Sequence, residues 1–271
     1  DKMMENDNKG DNFDPIRVYA KKLRNSDLRF NSEHLKPASD YYVGWIDLMG
    51  SGHVMSTSVQ KSANFLARLH IAVERARAGC NFSGRLLPIN DGIFIISESK
   101  CQIISMLGRV MILLSANFIA IPRPHDRFLL RGGIAYGPIY FGENLVPGLQ
   151  PKKFKASAKF LDSVMFGPAL IQAYRSETNA PPYGIAIHES ARAFHPAEEQ
   201  PFRMTHWMWW APNEPSDYPK NLPPMTTFKN CLWAELKDHF DWLIATSIYH
   251  GLEKSKINQW AIACKEYFQL G

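Results

Sequence analysis

Cysteine is scarce in this chain. Four of 271 residues, Cys80, Cys101, Cys231 and Cys264, lie far apart with no Cys-x-x-Cys pair. That excludes a disulfide framework and a cysteine zinc site, and reads as free thiols in a reducing compartment. An excess of either charge is also missing: 31 Lys and Arg stand against 26 Asp and Glu, a net charge of +5. This balance suits an anionic small molecule as well as it suits RNA, so it marks no nucleic-acid binder. The longest apolar stretch, Met106–Ile121, is interrupted by Arg109, Ser115 and Asn117 and falls short of the roughly 20 residues that span a bilayer. Residues 1–14 are polar with no apolar run behind them, which is no signal peptide. A Gly-x-Gly-x-x-Gly fingerprint, a Walker A loop, any metal-ligand spacing among the nine histidines and any internal repeat are absent too. The expectation is a cytoplasmic protein that binds no nucleic acid and inserts into no membrane.

What is present reads as a globular chain. Hydrophobic residues make up 45% and charged residues 21%, which excludes global disorder. Phe13–Phe30 reads as a short helix behind a disordered tail, and Tyr41–Leu48 as a central strand covered on both faces. Helical spacing follows over Val54–Ala78, closed by Gly79. Arg85–Ile89 and Gly92–Ile96 read as strands joined at Asn90-Asp91-Gly92, a strong hairpin signal. Cys101–Ala120 reads as a helix. Phe128–Tyr136 and Ile139–Phe141 flank Gly137-Pro138, which predicts a second hairpin or a tight bend. Val164–Glu177 reads as a helix with Pro168 in its first turn, and Tyr183–Ile187 as a strand. Residues 195–224 read as a strand and an irregular loop, and Asn230–Gln269 as one or two helices. This order predicts an α+β, ferredoxin-like fold: a mostly antiparallel sheet with flanking helices, plus C-terminal helices.

Two aspartates stand out by position. Asp47 ends an apolar strand and Asp91 sits in the hairpin; if the strands are neighbours, both carboxylates emerge at one sheet edge. Paired carboxylates without His or Cys favour Mg²⁺ or Mn²⁺, which usually arrive with a nucleoside triphosphate. The plainer alternative is a helix cap and a turn residue. Leu48-Met49-Gly50-Ser51-Gly52 either offers backbone N–H groups to phosphate or is a simple glycine turn. Trp207–Trp210 reads as a domain or dimer contact before a base-stacking platform. Lys152, Lys153, Lys155 and Lys159 read as a solvated loop, and Arg131, a cation on a core strand, as an internal ion-pair partner.

Four short motifs occur in order over residues 40–190: Asp47-Leu48-Met49-Gly50, Asn90-Asp91, Arg131-Gly132-Gly133-Ile134-Ala135-Tyr136-Gly137, and Phe166-Gly167 followed by Ala173-Tyr174-Arg175-Ser176-Glu177. Together they resemble the class III nucleotidyl cyclases. The Gly-Pro-Ala-Leu-x-x-Ala-Tyr form is similar to the pyrimidine cyclases of bacterial Pycsar antiphage defence. The purine enzymes choose their base with a lysine or glutamate six positions before the hairpin aspartate, here Arg85. Their second choosing residue, an aspartate or cysteine three before the helix glycine, corresponds to Val164, which accepts no hydrogen bond. The family's transition-state asparagine position holds Ile171, and Ser51-Gly52 replaces its Phe-Thr.

The resemblance implies a catalytic domain over residues 39–211, between an N-terminal segment (1–38) and a C-terminal extension (212–271). It implies catalysis by Asp47, Asp91 and Arg175, with Mn²⁺ or Mg²⁺, two ions per site, on Asp47, Asp91 and the Leu48 carbonyl. Substrate would be held by Arg85, Leu48, Met49, Gly50, Ser51 and Val164. The implied product is a cyclic pyrimidine nucleotide, cyclic UMP before cyclic CMP, read by a separate effector. Arg175 would come from the second subunit of a homodimer. A catalytically silent nucleotide-binding relative, a purine cyclase and a GGDEF-like enzyme are the alternatives.

Overall fold

The computed structural model describes residues 15–24, 30–149, 158–211 and 223–269. In chain order the elements are α1 (Pro15–Arg24), β1 (Ser39–Leu48), α2 (Ser51–Thr57), α3 (Val59–Gly79), β2 (Arg85–Ile89), β3 (Gly92–Ser97), α4 (Lys100–Ala120) and β4 (Leu130–Phe141). They continue with α5 (Gly142–Leu145), α6 (Ala158–Ser163), β5 (Met165–Phe166), α7 (Pro168–Ser176), β6 (Ile185–Ile187), α8 (Glu189–Ala193), β7 (His206–Trp207), α9 (Met225–Ala245) and α10 (Lys254–Gln269). Two compact units result. One comprises 39–139 with 166–271, the other 1–38 with 140–165.

In the larger unit the sheet order is β2-β3-β1-β4-β6-β7. β1 runs antiparallel to β3 and β4, β2 antiparallel to β3, and β6 parallel to β4. With α3 after β1 and α4 after β3, this is the β-α-β-β-α-β order expected of a ferredoxin-like sheet. Successive residues of β1 face opposite sides. Tyr42, Ile46 and Leu48 enter the main core with Leu69 and Val73 of α3 and Met106 and Leu107 of α4. Val43, Trp45 and Asp47 therefore face the other side, where α7 packs on β1. There Trp45 lies 4.3 Å from Phe94 and 5.6 Å from Tyr174, centroid to centroid.

The two C-terminal helices belong to the same unit. Leu232, Leu236 and Phe240 of α9 and Ile257, Tyr267 and Phe268 of α10 are buried in the main core. Trp209 and Trp210 join them: Trp210 lies 4.5 Å from Tyr267 and stacks on Phe268 at 4.7 Å, and Trp209 Nε1 donates to the Tyr183 carbonyl at 2.9 Å. The tryptophan cluster is therefore a contact inside the fold. In the smaller unit Phe30 bridges Leu149, Asn31 N–H donates to the Gly148 carbonyl at 2.8 Å, and Lys36 N–H donates to the Asn144 carbonyl at 3.2 Å.

Four expectations are corrected. Residues 128–141 form no second hairpin: β4 passes through Gly137-Pro138, which pair with Tyr41 and Asp40 of β1. Gly137 adopts φ +152°, open to glycine. The helix after β1 begins earlier and breaks once. Ser58 is extended and accepts the Lys61 N–H at 3.3 Å, capping α3. The helix after β5 begins at Pro168, its first position, so Val164 precedes it. Finally, α4 runs 21 residues and is long and apolar enough to cross a membrane. It instead packs on α3, α9, β1 and β3 with most of its apolar residues buried. The tail at 1–14, Lys152, Lys153, Lys155 and residues 212–222 of the expected irregular loop lie outside the described residues.

Candidate active site at the carboxylate end of the sheet

Asp47 pairs with Gly92 of β3 on one side and Arg131 of β4 on the other. Asp91 precedes Gly92 in a hairpin where Asn90 takes φ +52°. The Leu48 N–H donates to the Asp91 carbonyl at 3.3 Å, locking the hairpin against the end of β1. The two aspartates thus meet at one sheet end, as their positions predicted.

Their meeting has an electrostatic cost. The Asp47 carboxyl is pushed up to about 7, first by burial, then by Asp91 and by Glu177; Arg131 opposes the shift. Arg131 is engaged elsewhere: its guanidinium grips Glu177 with two bonds of 2.9 and 3.0 Å, and Glu177 is buried. That is the internal ion pair expected of Arg131. Glu177 is the residue that sequence reasoning missed; Ser51 was expected there as a substrate contact. The Ser51 hydroxyl donates to the Asp91 carboxylate, so Ser51 holds a carboxylate of the pair. In the sequence Glu177 is only the last residue of the fourth motif, 46 positions from its partner Arg131.

The turn between β1 and α2 is built on Gly50, at φ +73°, a backbone that side chains disfavour. The Leu48 and Met49 N–H groups are already taken, by the Asp91 and Leu129 carbonyls. The backbone donors left at this turn are the N–H groups from Gly50 to Gly52 at the start of α2, which a helix leaves unpaired. Among the described residues no cluster of three or more His, Cys, Asp or Glu is placed to hold a metal. The aspartate pair nonetheless fits Mg²⁺, which binds through one or two carboxylates plus substrate phosphates and retains water.

In the same unit, Arg85 and Arg175 are not among the charges that act on Asp47. Arg85 opens β2 and pairs with Ile96. It shares the Asp47 face of the sheet through the rungs Arg85–Ile96–Val43, Leu87–Phe94–Trp45 and Ile89–Gly92–Asp47. That puts it about 13 Å along the strands and about 10 Å across them from Asp47. It lines a polar cleft of about 410 Å³ with Tyr41, Ser97, Ser99 and Gln102. Arg175 is exposed on α7, and it is absent from the charges that act on Asp47 of its own chain. Ile171 and Tyr174, each 54% exposed, share its outward face at helical spacing. Val164 belongs to the smaller unit, where its carbonyl accepts the Gly142 N–H at 2.8 Å.

No protein-family model and no curated protein matches the chain. Solved structures do resemble it. The guanylyl cyclase domain of the RhoGC fusion protein from the aquatic fungus Blastocladiella emersonii is 15% identical over 57% of this chain and 82% of its own, with a TM-score of 0.42. The guanylate cyclase domain of RhGC from Catenaria anguillulae, solved with GTP, is 14% identical over 57% and 81%, at 0.42. A bacterial light-regulated adenylyl cyclase is 13% identical over 68% of this chain and 58% of its own, also at 0.42.

Proposed function

We propose that this chain is a nucleotidyl cyclase of the class III kind, and within it a pyrimidine cyclase that converts UTP to 3′,5′-cyclic UMP and pyrophosphate. The observation that carries the reading is the convergence of Asp47 and Asp91 at one sheet end, where burial first and Asp91 second push the Asp47 carboxyl up to about 7. A protein gains nothing structural from that conflict; a divalent cation removes it. Asp47, Asp91 and the Leu48 carbonyl would hold two Mg²⁺ or Mn²⁺ ions, whose chemistry would be to lower the pKa of the ribose 3′-hydroxyl and to offset the charge of the leaving pyrophosphate. Ser51 fixes the Asp91 carboxylate, and the α2 N–H groups meet the phosphates.

Arg175 acts on the α-phosphate of a site completed by a second copy of the chain. Its outward orientation and the exposed apolar neighbours Ile171 and Tyr174 support that placement. Arg85 lies too far from the carboxylates to touch phosphate, which leaves it the base end of a nucleotide stretched along the sheet face. As a donor-only side chain it suits uracil O4 and disfavours the cytosine amino group. The Val164 side chain carries no acceptor of the kind purine enzymes use to choose their base. The cyclic product would be read by a separate effector in antiphage defence.

The test is incubation of the protein with ATP, GTP, CTP or UTP, each with Mn²⁺, and identification of cyclic products by mass. Cyclic UMP supports the whole reading. Cyclic CMP alone overturns the facing of Arg85, and cyclic AMP or GMP overturns pyrimidine choice while keeping the cyclase. A second reading, a silent nucleotide binder, is favoured by Ile171 at the position of the family's transition-state asparagine; binding of UTP with no pyrophosphate release selects it.

A further inference from the structure

Behind the turn that carries Gly50, on the side of the C-terminal helices, lies a cavity of about 70 Å³. Its walls bring together basic groups from four separate segments: His53 of α2, Lys61 of α3, Arg127 before β4, and His239 and His250 at α9 and just after it. The acidic groups facing them are few. Glu235 is engaged by Arg127 at 2.7 Å, and Asp126 lies 3.5 Å from His125 and acts on Lys61. His239 is 3% exposed, and its Nδ1 has no hydrogen-bond partner. It is one of seven such buried, unpartnered side-chain atoms among the described residues and the one that borders this cavity.

The basic groups oppose one another. Burial and then Arg127, His250 and Lys61 push His239 down to about 3; burial, Lys61 and His53 lower His250; burial lowers Lys61. Aromatic rings hem the cluster in, with Trp242 stacked on His239 at 5.4 Å and 4.9 Å from His250. Water alone answers this arrangement poorly, because a cation and several imidazoles face a space with more donors than acceptors. An oxyanion supplies acceptors and offsets the charge.

We propose that this cavity binds a compact oxyanion, the phosphate or carboxylate group of a small molecule, between Lys61, His53, His239 and His250. The volume accommodates several waters or one such group. The site stands apart from the aspartates, on the opposite side of the Met49–Gly50 turn, and does not depend on the cyclase reading.

The test is calorimetric titration of the full chain, metal-free, with inorganic phosphate and separately with acetate, against a chloride background of equal ionic strength. Saturable binding of either is expected, and the tighter of the two identifies the group. Lys61→Met should weaken it at least about tenfold, the loss of one charge-assisted bond, and His250→Ala should weaken it too. Histidine imidazole signals in NMR spectra of the wild type should shift on addition of the anion. Saturable binding that survives both variants puts the anion at the α2 N–H groups and overturns the proposal, as does the absence of binding to the wild type.

Discussion

The front and the back of one turn, Leu48 to Ser51, carry opposite charge problems. In front, Asp47 and Asp91 crowd two carboxylates, and Asp47 rises to about 7. Behind, Lys61, Arg127 and three imidazoles crowd around His239, which falls to about 3. Burial moves an acid up and a base down for the same reason, the cost of taking a charge out of water. Structural ion pairs relieve that cost, as Arg131 with Glu177 and Arg127 with Glu235 do nearby. Neither Asp47 nor His239 has such an ion pair among the described residues, and each cluster calls for a ligand of the missing sign: a cation in front, an anion behind.

The largest effect belongs to the front. Asp47→Ala and Asp91→Ala should each lower cyclisation by at least about a hundredfold, since each removes one carboxylate from a two-carboxylate metal site. Both should keep the wild-type circular dichroism spectrum, because the carboxylates stand at a strand end and not in the core. Retention of most of the turnover by either variant would remove that residue from the site. A mixing experiment sharpens the same point. Asp47→Ala combined with Arg175→Ala should recover about one quarter of wild-type turnover, because half the dimers are mixed and each mixed dimer has one intact site of two. No recovery, with subunit exchange shown by labelled chains, would mean that Arg175 acts on its own chain.

The two clusters were not equally legible in the sequence. The front was, because its residues belong to local signals: an apolar strand ending in an aspartate, a hairpin at Asn90-Asp91-Gly92, a glycine turn. Its one hidden partner, Glu177, reaches Asp47 only through the packing of α7 on the sheet. The back was not legible. His53, His125, His239 and His250 span nearly 200 positions, so no spacing betrays them; only the packing of α9 and α10 in the same unit as the turn brings them together. The same limit explains the second hairpin read at Gly137-Pro138. Local turn chemistry favours a bend there, and pairing along β1 overrides it. Trp207–Trp210 read as an interface because a sequence cannot show that Tyr267 and Phe268 cover it.

A core residue distant from both clusters sets the scale for stability. Trp209 is 1% exposed and its indole is hydrogen-bonded. Trp209→Ala should cost about 3–5 kcal/mol, read as the shift of a urea transition, with the metal requirement of any residual folded enzyme unchanged. A loss below about 1 kcal/mol would mean that the C-terminal helices are not part of the main core.

The smallest effect tests the back of the turn through pH. His239 binds its proton near 6.5 when unfolded and near 3 when folded. The unfolded chain therefore holds more protons between those values. Stability from this group is fully present above about 6.5 and is lost as pH falls toward 3, by up to about 1.4 kcal/mol for each pH unit crossed. His239→Phe removes the titrating group and keeps a ring between Phe118, 5.3 Å away, and Trp242. Because Nδ1 has no partner, the replacement strands no hydrogen bond, and near neutral pH the two proteins should unfold at similar urea concentrations. At pH 5 the wild type should fall behind by about 2 kcal/mol. The carboxylates, Asp47 among them, titrate equally in both proteins and cancel in the difference. A difference that stays flat from pH 8 to pH 5 would show that His239 carries its charge when folded, and the contrast between the two sides of the turn would then rest on Asp47 alone.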